Sequence, residues 1–185
     1  MIRVHKAGSR WRIVLAGVLV CAGAAAYWSF HALRTPTPQL LRLADGTELF
    51  YLSNSKVEPA ASYPRVREIS VDGEVFIRAT AGSQPLIVRS RLLHLTVVGE
   101  SGLRVTARSN ETGEEADVLY GRVEATKAYP SQQHDTDTLL AGEEVMVNET
   151  IDLQEKETTD VARLRAWSEA LIASATRARE SSRHD

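Results

Sequence analysis

The chain has 185 residues, of which 43% are hydrophobic and 25% are charged, a balance that suits one globular domain with short accessories. The formal net charge is −2, but all 24 acidic residues come after residue 34, so the body of the chain is acidic. That balance argues against a nucleic-acid surface, which needs clustered Lys and Arg. The one cysteine, Cys21, excludes a disulfide within the chain and a metal cage built from several thiolates.

An apolar segment follows the first twelve residues. Residues 13–33 contain no Asp, Glu, Lys or Arg, and a helix of that length spans about 30 Å, the thickness of a bilayer hydrocarbon core. The basic residues that precede it predict a cytoplasmic stub, residues 1–12, with the rest of the chain exported. A cleaved signal peptide is the alternative, because Ala24-Ala25-Ala26 resembles a cleavage site.

The body, residues 43–153, contains short β-like runs separated by turn residues. Two pairs, Asp45-Gly46 and Asp72-Gly73, each stand between runs of alternating apolar residues, which is the pattern of a β-hairpin. Runs of this kind recur about every 8–12 residues. The pattern predicts an all-β domain, a sandwich or a solenoid-like stack of many short antiparallel strands.

Single glycines divide the later runs. Gly99, Gly121 and Gly142 are predicted to break strands where the chain must bend or bulge. Residues 116–120 and 122–126 are accordingly predicted to be two strands that pair around Gly121.

The two flanks of the body have different patterns. Residues 34–42 are predicted to be an extended linker, because their prolines fix the backbone φ angle. Residues 154–185 are predicted to hold a C-terminal helix and a tail. Apolar residues at helical spacing place that helix at residues 161–179, with Thr159 or Asp160 as its cap.

The histidines and acidic pairs offer weak candidates for chemistry. His94 lies in an apolar run and is interpreted as a residue of the sheet. His134 with Asp135 and Asp137 could touch a metal, but a solvated loop is the favoured interpretation.

The acidic pairs Glu114-Glu115 and Glu143-Glu144 are interpreted as surface charge, because adjacent strand residues point to opposite faces. The sequence has no G-x-S-x-G elbow, P-loop or H-E-x-x-H motif. We therefore predict that the protein is not an enzyme and holds no cofactor and no metal.

Short pieces of the body, in their order and spacing, resemble one known family. The pieces are Leu43-Ala44-Asp45-Gly46-Thr47, Gly73-Glu74-Val75-Phe76, Pro85-Leu86-Ile87-Val88, Val97-Val98-Gly99, Tyr120-Gly121-Arg122-Val123, Leu140-Ala141-Gly142-Glu143 and Ala166-Trp167. They are similar to segments of the FecR family, inner-membrane regulators of bacterial cell-surface signalling.

The resemblance implies a set of structural residues rather than a ligand site. Glycines supply turns and bends, and Phe76 is a plausible core residue. The family-pattern residues are Asp45, Gly46, Thr47, Gly73, Glu74, Phe76, Gly99, Gly121, Val123, Gly142 and Trp167.

The resemblance also implies a function and partners. Members of the family span the bacterial inner membrane once, bind a sigma factor in the cytoplasm and carry a periplasmic domain that communicates with a TonB-dependent outer-membrane transporter. In this chain only twelve residues precede the apolar segment and eighteen follow Trp167. We therefore expect the sigma factor, or its cytoplasmic regulator, to act in trans. The alternative is a structural envelope module that binds other proteins without signalling.

Overall fold

Ten β-strands and one α-helix make up the part of the chain that the computed structural model describes, residues 35–131 and 136–181. The helix is α1 (Val161–Ser181). The strands are β1 (Pro38–Arg42), β2 (Glu48–Leu52), β3 (Lys56–Pro59), β4 (Glu68–Ala79), β5 (Leu86–Arg89), β6 (Leu93–Ala107), β7 (Gly113–Lys127), β8 (Asp137–Leu140), β9 (Glu143–Asn148) and β10 (Leu153–Thr158).

The predicted stub and transmembrane helix, residues 1–33, lie outside the described residues, as do His134 and Asp135. Within the described ranges, no helix combines the length and the apolar character needed to cross a membrane.

Three long strands organise the sheet. Residues 68–72 of β4 lie between β3 and β5, whereas residues 73–79 of the same strand lie between β2 and β6. β6 and β7 likewise exchange neighbours near their midpoints. β4 and β5 pair in parallel, and the other strand pairs of the described part are antiparallel.

Only one of the two predicted Asp-Gly hairpins is present. Asp45-Gly46 does form the turn between β1 and β2, with Gly46 at a φ of 89°. The hairpin predicted at Asp72-Gly73 is wrong, because both residues lie inside the continuous strand β4. Gly73 lies where β4 changes its neighbouring strands. Local sequence cannot distinguish a glycine at such a bend from a glycine in a turn.

The predicted strand pair around Gly121 is also wrong, because one 15-residue strand, β7, runs through that position. The bend predicted there is present. The buried apolar residues of β7 have even numbers before the bend, as at Val118, and odd numbers after it, as at Val123. The pairing with β6 shifts register at the same place. This irregularity lets the buried apolar side chains of both halves of β7 point into the same core.

The bends fold the sheet over an apolar core. One half contains β1, β2, β9, β10 and the adjoining parts of the long strands, and the other half contains β3, β5, β8 and the remaining parts. Buried side chains from both halves, such as Val105 and Leu95, belong to one cluster, which we call the inner core. This arrangement is sandwich-like, although its strands belong to one hydrogen-bonded sheet.

The helix α1 covers the outer face of the first half. Phe50 and Phe76 point away from the inner core and pack with Leu171 and Ala175 of α1 in a second cluster, the outer cluster. Asp160 caps the helix, since its Oδ1 accepts a hydrogen bond from the Arg163 amide at 3.1 Å.

The all-β body and its C-terminal helix are therefore as predicted. The β body is longer than the predicted range of residues 43–153 at both ends. β1 occupies residues 38–42, inside the range predicted as linker, where the β-like run before Asp45-Gly46 was expected to begin; β10 continues the sheet to residue 158. The prediction of many short strands is wrong for β4, β6 and β7, because period-2 alternation does not show how far a bent strand continues.

Candidate functional site

A row of charged residues crosses the outer face beside the outer cluster. Phe76 on β4 lies opposite Arg104 on β6, which lies opposite Asp117 on β7, which lies opposite Glu144 on β9. Because directly opposed residues in a sheet share a face, these side chains come together. We call this group, with Glu74, Glu115, Thr159 and Trp167, the Arg104 site.

Arg104 is the centre of the site. Its Nε donates to Asp117 Oδ2 at 2.9 Å, and its guanidinium donates a second hydrogen bond to Glu115 Oε1 at 2.5 Å. The guanidinium also lies 3.9 Å from a Glu74 carboxylate oxygen. On its other side it lies 5.5 Å from the ring centre of Trp167, within cation–π range.

Trp167 connects this charged group with the outer cluster. Its ring meets the Phe76 ring edge to face, with the centroids 6.3 Å apart and the planes at 77°. One aromatic side chain of α1 thus contacts both an apolar and a cationic residue of the sheet. The first turns of α1 are held to the sheet by both kinds of contact.

Asp117 joins the sheet to the start of α1. Its side chain is fully buried, and its Oδ1 accepts a hydrogen bond from the Thr159 hydroxyl at 2.8 Å. Burial alone would raise the pKa of Asp117, but the hydrogen bonds from Arg104 and Thr159 outweigh it and lower the pKa. Asp117 therefore stays ionised at neutral pH.

The two neighbouring carboxyls shift in the opposite direction. Burial and the nearby charge of Asp117 raise the pKa of Glu115 to about 7. The pKa of Glu144 is also raised, first by burial and then by its hydrogen bond with Asp117. The site therefore holds carboxyls of different protonation behaviour within a short distance.

A cleft of about 580 Å³ opens over this site, between the sheet and the first turns of α1. Its walls are mostly polar and charged. The lining residues are Glu74, Arg104, Thr106, Arg108, Glu115, Glu144, Thr158, Thr159, Asp160, Arg163, Leu164 and Trp167.

The carboxylate oxygens of Glu115, Asp117 and Glu144 approach one another within 4.8 Å. That spacing would suit a divalent cation. Arg104 already supplies a positive charge to the group through its bonds to Asp117 and Glu115. We therefore assign no metal to this position.

Some of the family-pattern residues form a second network, at the β1–β2 turn. Asp45 Oδ2 accepts hydrogen bonds from Tyr63 Oη at 2.6 Å and from Arg67 Nε at 2.8 Å, and Asp45 Oδ1 accepts one from the Thr47 amide at 3.0 Å. Arg67 also donates to the carbonyl of Thr80 at 2.7 Å. This network ties the turn to the loops before β4 and after it.

Three other family-pattern residues, Glu74, Phe76 and Trp167, meet at the Arg104 site. Val123 is buried in the inner core. The glycines Gly73, Gly99 and Gly121 lie at the bends with positive φ angles, and Gly142 lies next to α1, where an added Cβ would stand 3.2 Å from a Val161 methyl.

Sequence reasoning missed two residues that hold the site together, Arg104 and Asp117, and considered Thr159 only as a helix cap. The prediction that Glu114 and Glu115 point to opposite faces is right, but the surface assignment of Glu114 is wrong. Glu114 is buried and accepts a hydrogen bond from the Leu92 amide at 3.0 Å. Alternation within β6 and β7 could have placed Arg104 and Asp117 on one face, but their pairing depends on register.

The fold was compared with those of known proteins. No protein-family model and no curated protein matches the chain. Among solved structures, two crystal structures of a "putative anti-sigma factor" from Parabacteroides distasonis are similar to it, each with a TM-score of 0.62.

The two matches are 23% and 22% identical in sequence and cover 71% and 72% of this chain. The chain spans 60% and 62% of the length of those structures. At that identity the likeness concerns the fold. About seven tenths of the chain therefore share their fold with this bacterial protein.

Proposed function

We propose that the chain is a FecR-type regulatory protein, anchored in the bacterial inner membrane, that passes an envelope signal to a sigma factor by protein–protein contacts. The observation that carries the proposal is the fold likeness to the Parabacteroides distasonis protein, at a TM-score of 0.62 over 71% of the chain. That neighbour's name supplies the link to sigma factors, and the family resemblance of the sequence supplies the link to envelope signalling.

The geometry of the Arg104 site supports a binding protein rather than an enzyme. Arg104 forms ion pairs with Glu115 and Asp117 and contacts the Trp167 ring. The charged groups of the cleft therefore interact with one another. A helix attached through such a polar joint can be released by a partner that binds the released state better, which is what signal transmission requires. We propose no catalytic role for any of these residues.

The proposed anchor is the apolar segment, residues 13–33. Its length supports a membrane span, and the basic residues before it support a cytoplasmic N-terminus. The β body would then stand in the periplasm, where a TonB-dependent transporter could reach it. The sigma factor, or a cytoplasmic regulator of it, would meet the short N-terminal stub or a helix paired with the anchor.

Crosslinking of the full chain in its native membrane, followed by mass spectrometry, tests the proposal. We expect capture of a sigma factor, of its cytoplasmic regulator or of a TonB-dependent transporter. The matched control is the double variant Leu15→Arg/Leu19→Arg, which places two charges in the apolar segment at about 3 kcal/mol each and should abolish anchoring and capture. Capture of envelope-assembly or cell-wall components alone would contradict the relay and favour the structural envelope module.

A further inference from the structure

The carboxylates of the Arg104 site are crowded relative to the positive charge beside them. Oxygens of Glu115, Asp117 and Glu144 lie within 4.8 Å of one another, and like charges at that distance repel. Arg104 bonds to Asp117 at 2.9 Å and to Glu115 at 2.5 Å. Three arginines, Arg104, Arg108 and Arg163, stand at this cleft against the carboxylates of Glu74, Glu115, Asp117, Glu144 and Asp160. Negative charge is therefore in excess, and the group favours a bound proton.

The same group fastens α1. Asp117 accepts the hydrogen bond from Thr159, the residue before the Asp160 cap of α1. Arg104 lies against the Trp167 ring, in the second turn of α1. Any change in the charge of the carboxylates therefore acts at the point where the helix meets the sheet.

We propose that proton uptake by these carboxylates tightens the attachment of α1 to the sheet, so that the position of α1 responds to pH. A proton on Glu115 removes one negative charge and allows its carboxyl to donate a hydrogen bond to Asp117. Arg104 then keeps its ion pair with Asp117 and its contact with the Trp167 ring. When α1 lifts away, water reaches the group and screens its charges, so the detached state binds the proton more weakly.

Glu115 is the first group to take the proton. Burial and the charge of Asp117 raise the pKa of Glu115 to about 7, whereas the pKa of Asp117 itself is lowered. Because a raised carboxyl pKa favours the attached state at pH values below it, attachment strengthens as the pH falls through about 7. The charged groups that line the cleft with Glu115 are Glu74 (β4), Arg104 and Arg108 (β6), Glu144 (β9), and Asp160 and Arg163 at the start of α1. Asp117 (β7) lies beside Glu115, and Glu157 (β10) acts on Glu144.

Amide hydrogen exchange of the full chain in detergent micelles tests this inference. Protection of α1 amides, corrected for the intrinsic pH dependence of exchange, is compared with protection of β5 in the same samples. The Glu115 pKa is about 7 with α1 attached and is expected to return to its ordinary value when α1 detaches. This difference predicts that protection of α1 rises up to about tenfold between about pH 8 and about pH 6, whereas protection of β5 does not change.

Three variants show whether Glu115 is responsible. Glu115→Gln should keep α1 attached and abolish the pH response. Glu144→Gln removes a neighbouring charge and should move the response to lower pH. Glu58→Gln, an exposed residue of β3, should leave it unchanged.

An α1 protection that does not change with pH in the unaltered chain would overturn the inference. So would a full response in Glu115→Gln. The inference does not rest on the proposed function, because it concerns α1 and the sheet alone and is read out without a partner.

Discussion

Asp45 shows how a single carboxylate can explain a sequence motif. Its side chain joins the β1–β2 turn to Tyr63 and Arg67, and Arg67 is 6% exposed. Arg67 would be left as a buried charge without its counter-charge if Asp45 were neutral. The Asp of this family-pattern turn is therefore explained by its bonds to Tyr63 and Arg67, which an Asp-Gly pair alone would not indicate.

We expect Asp45→Asn to lower the free energy of unfolding by about 3 kcal/mol, because it removes one partner of a largely buried ion pair. Urea unfolding followed by circular dichroism measures this loss. Glu58→Gln is the control, since Glu58 pairs with Lys56 at an exposed position, and it should change the free energy by less than about 0.5 kcal/mol. Equal effects of the two variants would contradict the buried network.

The same residue predicts a pH dependence. Burial alone would raise the pKa of Asp45, but hydrogen bonds from Tyr63, Thr47 and Arg67 outweigh it and lower the pKa. A lowered carboxyl pKa stabilises the fold above the unfolded value and loses that effect as the pH falls through the folded value. Below about pH 4, the unfolding free energy should therefore decline more steeply in the unaltered protein than in Asp45→Asn.

Two glycines at the bends offer a matched comparison. Gly99 and Gly121 both have positive φ angles, 73° and 91°. A Cβ at Gly99 would meet open space, whereas one at Gly121 would overlap the Ser101 side chain and lie 2.6 Å from the Glu100 carbonyl oxygen.

Gly99→Ala should therefore cost about 1 kcal/mol from its backbone conformation alone. Gly121→Ala should cost about 3 kcal/mol or more, because steric overlap adds to the backbone term. Thermal unfolding of the two variants side by side measures the difference. Similar losses would mean that the bend in β7 does not pack as the structure shows.

At the scale of elements, the attachment of α1 to the outer face is the main structural feature beyond the sheet itself. Trp167 contacts Phe76 on one side and Arg104 on the other, and Leu171 and Ala175 continue the contact with the outer cluster. The helix thus depends on one aromatic residue at its start and on small apolar contacts further along.

Trp167→Ala should loosen α1 and lower the free energy of unfolding by about 2–3 kcal/mol, since Trp167 is half-buried. Limited trypsin digestion should then cut faster after Arg165 and Arg177, both within α1. Glu169→Ala, at an exposed position of the same helix, is the control and should leave the cutting rate unchanged. Equal digestion of both variants would show that Trp167 does not hold the helix.

Local pattern predicted the elements better than it predicted their continuity. Helical spacing and the missing Gly and Pro placed α1 at residues 161–179, close to its observed range of Val161–Ser181. Asp72-Gly73 and Gly121 look locally like turns, yet they lie inside β4 and β7. Whether such a glycine ends a strand or bends it depends on which strands lie on either side, and that is a long-range property.

The candidate site depended even more on long-range pairing. Glu74, Phe76 and Trp167 could be named from the family resemblance, but nothing local connects them. Arg104 and Asp117 come together because β6 and β7 pair in one particular register, and Thr159 joins them because β10 returns the chain to the same face. A shift of one residue would have turned these side chains to the opposite face of the sheet.

At the scale of the whole molecule, the chain combines a fold shared with a bacterial protein and a proposed regulatory role. The chain is similar in fold to the Parabacteroides distasonis protein over 71% of its length. The Arg104 site is a polar joint at which we propose that α1 responds to pH. The proposed anchor would connect this body to a partner across the membrane.

Transcription in a strain that lacks this chain is the most direct test of the proposed sigma-factor role. We predict that deletion changes the output of one set of promoters with common recognition sequences, and that the full chain restores it. The variant Leu15→Arg/Leu19→Arg should fail to restore it, because the anchor is required. Unchanged transcription from every such promoter set, in cells that normally make the protein, would contradict the account.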